Sequence, residues 1–199
     1  MKLFFLIVVV LFANCVHAAQ FEDILVYFPM EKGSIKTFAL NKDTPDEVVT
    51  ITDCNSDSNE GCLHEHILYG SMKLYDSFQY VGNSVVRTTM SNMLTGEFKK
   101  LVPPQIQLKS PVTIGTSWTN KDGAQTKKSK ISAKLQNYST KSGNYSDVIV
   151  VETKVFENKK IKWIQYDYFA PNIGLVKAEA LRDKNRYTTK ELLEYKSAK

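Results

Sequence analysis

Met72-Lys73-Leu74-Tyr75-Asp76-Ser77-Phe78-Gln79-Tyr80 is the stretch that decides the fold class. Met72, Leu74, Phe78 and Tyr80 fall on alternate positions, with Lys73, Ser77 and Gln79 on the other face. Successive side chains of a strand point to opposite sides, so this alternation describes a strand with one buried face. No window after residue 20 sustains the period of an amphipathic helix. Outward from 72–80 the strand reading recurs. Residues 148–151 are a β-branched block, and 161–169 carries Trp163, Tyr166, Tyr168 and Phe169, residue types that suit a pleated, packed surface. Further strands are expected at 35–41, 47–53, 62–69, 84–90, 130–137, 173–181 and 187–196. Residues 91–100 are the one stretch that reads as a short helix.

Turn residues separate these runs. Lys121-Asp122-Gly123 and Ser142-Gly143-Asn144 are turn signals, Gly70, Gly82 and Gly96 punctuate the middle of the chain, and Ala170-Pro171-Asn172 with Gly174 makes a tight turn. The pattern implies an all-β chain with minor helix: a strongly curved antiparallel sheet, half-barrel or barrel-like. A weak echo runs through it. Pro29, three residues, Gly33 and Ser34 are matched by Pro111, three residues, Gly115 and Thr116. Two such copies suit two similar halves of one sheet, although P-x-x-x-G is also a common turn.

Residues 1–18 have the three parts of a secretory signal peptide: Lys2, the apolar run Leu3 to Ala13, and a Val16-His17-Ala18 site. The run is shorter than the roughly 20 apolar residues that span a bilayer. The expected mature chain starts at Ala19 and forms a single β-rich domain over 19–199, its net charge falling from +5 to +4 with the loss of Lys2. The expected location is periplasmic or extracellular. A lipoprotein tethered to the membrane through Cys15 is the alternative, against which Phe12 and Asn14 make a poor lipidation site. Cys54 and Cys62 are then an even pair in an oxidising compartment and are expected to form a disulfide.

Four blocks carry a resemblance. Tyr27-Phe28-Pro29-Met30 with Gly33, Pro111-Val112 with Gly115-Thr116-Ser117-Trp118, the run from Asp147 to Glu152, and Tyr168-Phe169-Ala170-Pro171-Asn172-Ile173-Gly174-Leu175-Val176-Lys177 occur in this order. The chain resembles a loosely defined set of exported bacterial proteins and lipoproteins bearing YFPL…G, PL.vGtsW, vivvE and YyapgiGlVk blocks. The resemblance implies a β-rich envelope protein, mostly of unknown activity, with no catalytic residues to carry over.

Chemistry-bearing clusters are few. Asp53, Asn55, Asp57 and Asn59 alternate like the oxygen ligands of a calcium loop, but Ser58 stands where that loop needs Gly and His64 where it needs Glu. His64 and His66 are the histidines of the mature chain and share one face of a strand, which suits two imidazoles on one metal ion. With Cys54 and Cys62 bridged they lack an obvious third ligand. The simpler reading is a disulfide-closed loop with Asx turns beside a solvated strand. No nucleophile elbow, phosphate loop or dinucleotide fingerprint is present. Lys121, Lys127, Lys128, Lys130 and Lys134 form one basic stretch and Lys159, Lys160 and Lys162 another. They read either as an anionic-surface contact or as lysines protecting edges and turns.

The function expected from these residues is that of a non-catalytic envelope or secreted protein. It would bind an apolar ligand or lipid on a concave sheet, with Trp118, Trp163, Tyr166 and Tyr168 as candidate ligand contacts. The alternatives are a module that binds an envelope protein, as an assembly factor or inhibitor, and a metal-binding protein using His64 and His66. No cofactor and no nucleic-acid partner is expected, and a membrane only through Cys15.

Overall fold

The computed structural model describes residues 23–40, 45–55, 61–92 and 95–198. The expected signal peptide, Cys15 and Ala19 lie outside the described residues, as do residues 56–60 of the acidic loop. In chain order the strands are β1 (Ile35–Ala39), β2 (Pro45–Asn55), β3 (Gly61–Leu68), β4 (Met72–Val81), β5 (Ser84–Ser91), β6 (Phe98–Lys109) and β7 (Ser117–Asp122). They continue as β8 (Gln125–Leu135), β9 (Tyr138–Thr140), β10 (Gly143–Tyr145), β11 (Val148–Glu157), β12 (Lys160–Ala170), β13 (Gly174–Arg182) and β14 (Asn185–Lys196). Twelve form one antiparallel sheet in the order β6-β5-β4-β3-β2-β1-β14-β13-β12-β11-β8-β7, and β9–β10 is a separate hairpin. The sheet is nearly closed into a barrel.

The chain is built as two equivalent halves, β1–β6 and β7–β14. Each begins with the P-x-x-x-G motif. In the first, Gly33 N–H donates to Ile51 O (2.8 Å), Ile51 N–H to Ser34 O (3.1 Å) and Ser34 N–H to Glu31 O (3.1 Å). In the second, Gly115 N–H donates to Ile131 O (2.9 Å), Ile131 N–H to Thr116 O (2.9 Å) and Thr116 N–H to Thr113 O (3.1 Å). Gly33 and Gly115 have φ of 91° and 99°, a region other residues enter only under strain.

The irregularities repeat as well. A bulge at Thr52 in the β2–β3 ladder matches one at Ser132 in β8–β11. Each of these hydroxyls donates across the ladder, to Leu63 O at 3.3 Å and to Val150 O at 3.1 Å. A bulge between Ser77 and Phe78 against β5 matches one between Tyr168 and Phe169 against β13. Tyr75-Asp76-Ser77-Phe78 therefore occupies in β4 the place of Tyr166-Asp167-Tyr168-Phe169 in β12. Bulges aim side chains and sharpen twist, so the two matching sets bend both halves alike.

The halves join differently at their two junctions. β1 and β14 share a main-chain ladder. The equivalent junction, β6 against β7, has none, and Pro103 and Pro104 in β6 supply no N–H to make one. Asn120 bridges the gap instead. Its Oδ1 accepts from Ile106 N–H at 2.9 Å and its Nδ2 donates to Ile106 O at 2.8 Å, so a side-chain amide does the work of a peptide group. Trp118 Nε1 donates to the same carbonyl at 3.1 Å.

A short helix at 23–27 plugs one end. Ile24 and Tyr27 lie one turn apart and are both buried, and Asp23 suits the positive helix start. Tyr27 Oη donates to Asp147 O (2.8 Å), Asn172 N–H to Val26 O (2.6 Å), and Tyr80 Oη to Phe28 O (2.6 Å). Beneath it Ile24, Phe78, Leu108, Trp118, Ile149 and Phe169 form one apolar cluster. A second joins Phe38, Val150, Tyr168, Val176 and Leu192 to Tyr138 and Tyr145 of the small hairpin. Each such side chain contributes about 1.5–3 kcal/mol by leaving water. Cys54 and Cys62 are bridged across the β2–β3 ladder, at the plugged end.

The helix expected at 91–100 is not formed by the described residues there. Ser91 ends β5, Asn92 N–H bonds Glu97 O (2.8 Å), and 98–100 pair with 89–91, so the backbone groups a helix would use are spent on the sheet. Strand β6 itself was not expected, because its two prolines argue against a strand; at a sheet edge they are tolerated.

Asn120→Ala removes both seam bonds to Ile106. We expect a loss of about 1–3 kcal/mol in urea unfolding, with hydrogen exchange accelerated at Ile106 more than in β2 or β12. An unchanged midpoint would show that apolar packing and the Trp118 indole bond hold the seam without Asn120.

Candidate ligand cavity

Because side chains alternate along each strand, every second residue of the barrel wall faces inward. On β12 these are Trp163, Gln165, Asp167 and Phe169; on β3 they include His64 and His66. Three hollows of about 530, 290 and 330 Å³ share Gln165 and Asp167 as a common wall. The first is bounded by Trp163, Leu175, Ala178 and Ala180, the two alanines leaving the room. The second lies against Phe28 and Pro29 under the plug and reaches Lys36, His64, His66 and Lys190.

A chain of ionisable groups crosses this interior. Lys190 pairs with Glu47, whose other oxygen meets His66 Nδ1 at 2.8 Å. His66 Nε2 lies 3.8 Å from Asp76, which Arg87 also holds at 3.2 Å, and Arg87 reaches Gln105 Oε1 at 3.3 Å. Burial opposes ionisation of Glu47, but hydrogen bonds from His66 and Lys190 outweigh it and hold its pKa below the ordinary carboxylate value. A buried pair of this kind marks geometry more than net stability, since both partners lose water.

Three inward groups stand outside the chain of pairs. Burial pushes the His64 pKa down to about 3, helped by Lys36 and His66, so the ring is neutral at physiological pH; its Nε2 has no hydrogen-bond partner among the described residues. The ring is only 7% exposed and packs on Phe78, centroids 4.5 Å apart. Lys36 finds no carboxylate among the described residues, and burial followed by Lys190 brings its pKa to about 8. Its Nζ rests against Gly174, where an added Cβ would come within 3.1 Å. Among the described residues Asp167 accepts only from Gln165 Nε2, at 2.8 and 2.9 Å, and burial raises its pKa to about 6 against the opposing pull of Gln165 and Lys190.

The four aromatic candidates are not brought together. Trp163 lines the hollow, and Trp118 sits in the apolar cluster behind the seam. Tyr166 and Tyr168 lie on the opposite face of β12. There Tyr168 stacks on Tyr138 (4.7 Å) and donates to Glu179 (2.8 Å), while the Arg186 guanidinium lies 4.2 Å from the Tyr166 ring. His64 and His66 do share a face, as expected, but no group of three or more His, Cys, Asp or Glu is poised to hold a metal ion among the described residues. Sequence reasoning missed Lys36, Glu47, Arg87, Asp167 and Lys190. One signal was available: Asp76 stands on the apolar face of 72–80, where a lone acid is costly unless something uses it.

No family model and no curated protein matches the sequence. Two solved structures are similar in shape. One, from Bacteroides fragilis, is provisionally described as an exported protein with a YmcC-like fold; it is 12% identical, with 86% of this chain and 99% of that chain covered and a TM-score of 0.47. The other, from Parabacteroides distasonis, is provisionally described as a lipoprotein; it is 12% identical, with 86% and 98% covered and a TM-score of 0.42.

The raised Asp167 pKa fixes a sign. In the unfolded chain Asp titrates near 4, so between there and about 6 the folded state keeps a proton that the unfolded state has lost, and stability falls as pH rises through that window. Asp167→Asn should be neutral near pH 4 and stabilising by about 1–2 kcal/mol at pH 8, less than full linkage because the hollow admits water. Urea midpoints at the two pH values check this; destabilisation at pH 8 would mean that the carboxylate is held by a counter-charge.

Proposed function

We propose that the protein is an exported, non-catalytic binding protein that holds an amphipathic small molecule, a lipid above all, inside its barrel. The observation that carries the reading is the hollow of about 530 Å³, which has an apolar wall of Trp163, Leu175, Ala178 and Ala180 and a polar one of Gln165, Asp167 and Lys190. Its size falls in the range of small-molecule sites. A wholly apolar ligand would strip water from Asp167 and Lys190 without replacing it, a cost that favours a molecule with a polar end. The apolar part then lies along the alanines and Trp163, and the polar end points to Asp167 and Lys190.

Export is supported by the signal-peptide pattern of residues 1–18 and by the Cys54–Cys62 bridge, which persists in oxidising compartments. A non-catalytic role is supported by the state of the ionisable groups. A His64 ring with a pKa of about 3 is a poor base at neutral pH, and His66 is engaged by Glu47 and Asp76. Nε2 of His64 and of His66 has no hydrogen-bond partner among the described residues, so neither ring activates a hydroxyl or thiol through that nitrogen.

Titrating delipidated protein with dodecanoate and with dodecan-1-ol tests the reading. A saturable change in tryptophan emission is expected, lost in Trp163→Phe and retained in Trp118→Phe. If neither ligand gives a saturable signal and solvent extracts of the native protein contain no lipid, the reading is wrong.

A further inference from the structure

The end of the barrel opposite the plug is formed by alternate turns of the meander, and five of these lie among the described residues: 69–71, 92–97 (in part), 123–124, 158–159 and 183–184. Antiparallel order requires them all to lie at one end. Beside each turn stands an exposed cation: Lys73, Lys99, Lys121, Lys160 and Lys184. The acids nearby are largely paired, Glu65 with Lys73 at 3.4 Å, Glu157 with Lys162 at 2.8 Å and Asp183 with Arg182 at 3.7 Å, while Lys99, Lys121, Lys160 and Lys184 make no ion pair among the described residues.

Large apolar side chains are exposed at the same end. Tyr69 is 66% exposed, Phe98 59% and Ile161 51%, with Met72 and Tyr187 nearly as open. Tyr69 and Met72 flank one turn, Phe98, Ile161 and Tyr187 stand at one turn each, turn 123–124 has none, and lysines lie between them. This arrangement does not make the continuous apolar patch that the dry centre of a protein interface needs. It does match a bilayer surface, where single apolar tips enter the headgroup region while neighbouring lysines keep their ammonium groups on anionic phosphates.

We infer that this rim docks the barrel, mouth first, on an anionic phospholipid surface. The occupant is set by complementarity: a ring of cations interleaved with apolar tips meets a surface that is anionic outside and apolar a few ångströms in. Lys121 of one basic stretch of the sequence and Lys159, Lys160 and Lys162 of the other come to the same rim although they lie far apart in the chain. The inference rests on the rim alone and stands whether or not the barrel carries a lipid.

Co-sedimentation of the purified protein with phosphatidylcholine vesicles, and with vesicles that also contain phosphatidylglycerol, tests it. Binding should be tighter by about ten-fold or more on the anionic vesicles and should weaken with added salt. Lys160→Glu/Lys184→Glu should abolish that preference, whereas Lys32→Glu/Lys109→Glu, the same charge change at the plugged end, should leave it intact. Met72→Ser/Ile161→Ser should weaken binding several-fold with an unchanged thermal midpoint. The inference is overturned if anionic vesicles are not preferred or if the plugged-end reversal acts as strongly as the rim reversal. It is also overturned if soluble polyglutamate displaces the protein completely while the Met72/Ile161 variant binds like the parent, which would mark a plain polyanion contact. Dodecanoate titration of the rim variants in solution reads the barrel separately, so loss of docking and loss of ligand binding are distinguishable.

Discussion

Around the barrel, main-chain ladders pass from strand to strand until β6 meets β7, where the ladder stops and Asn120 takes over. Two hydrogen bonds from one side-chain amide, with a third from the Trp118 indole, convert an open twelve-stranded sheet into a nearly closed wall. The interior depends on this. An open sheet would leave Arg87, Gln105 and Asp167 facing bulk water, with no hollow to line. Closure by three side-chain bonds rather than a full ladder also makes the seam the weakest part of the wall, and it is the place where exchange with solvent should begin.

Closure explains why the interior is charged rather than oily. The apolar side chains that a β-protein must bury are collected in two places, under the plug and around the small hairpin. The middle of the barrel is left to groups that pair across it. Glu47, His66, Asp76 and Arg87 come from four neighbouring strands and are held by one another. Lys36 and Asp167 come from different halves and each lacks an ionic partner among the described residues. A ligand that supplies an anion to one or a donor to the other would gain what the protein alone does not provide.

The β architecture was legible because strand alternation is a local property, and 72–80 carries it plainly. The duplication was half legible. The two P-x-x-x-G motifs can be read in one dimension, whereas the matching bulges at Thr52 and Ser132 depend on cross-strand register, which sequence does not display. The short helix was sought at 91–100 and found at 23–27, where only two inward residues mark it. Strand β6 was hidden by Pro103 and Pro104, whose tolerance follows from an edge position known only from the whole sheet. The site was the least legible part. Parity alone separates Trp163 from Tyr166 and Tyr168 on a single strand, so that aromatic set could not share one surface. The buried charges were obscured because Lys36 and Asp167 look like ordinary surface residues until the wall closes around them.

The paired construction has a further consequence. Each six-stranded half presents its first and its last strand to the other half, and a second copy of the chain presents the same pair of edges. The segment between the halves, 110–116, lies outside the strands at the plugged end, where Gly115 and Thr116 are bonded to Ile131. When that loop extends, a half released from one molecule finds an equivalent place in a second, and two chains can rebuild two barrels by exchange. Reciprocal exchange of this kind would preserve every seam, which edge-to-edge stacking would not.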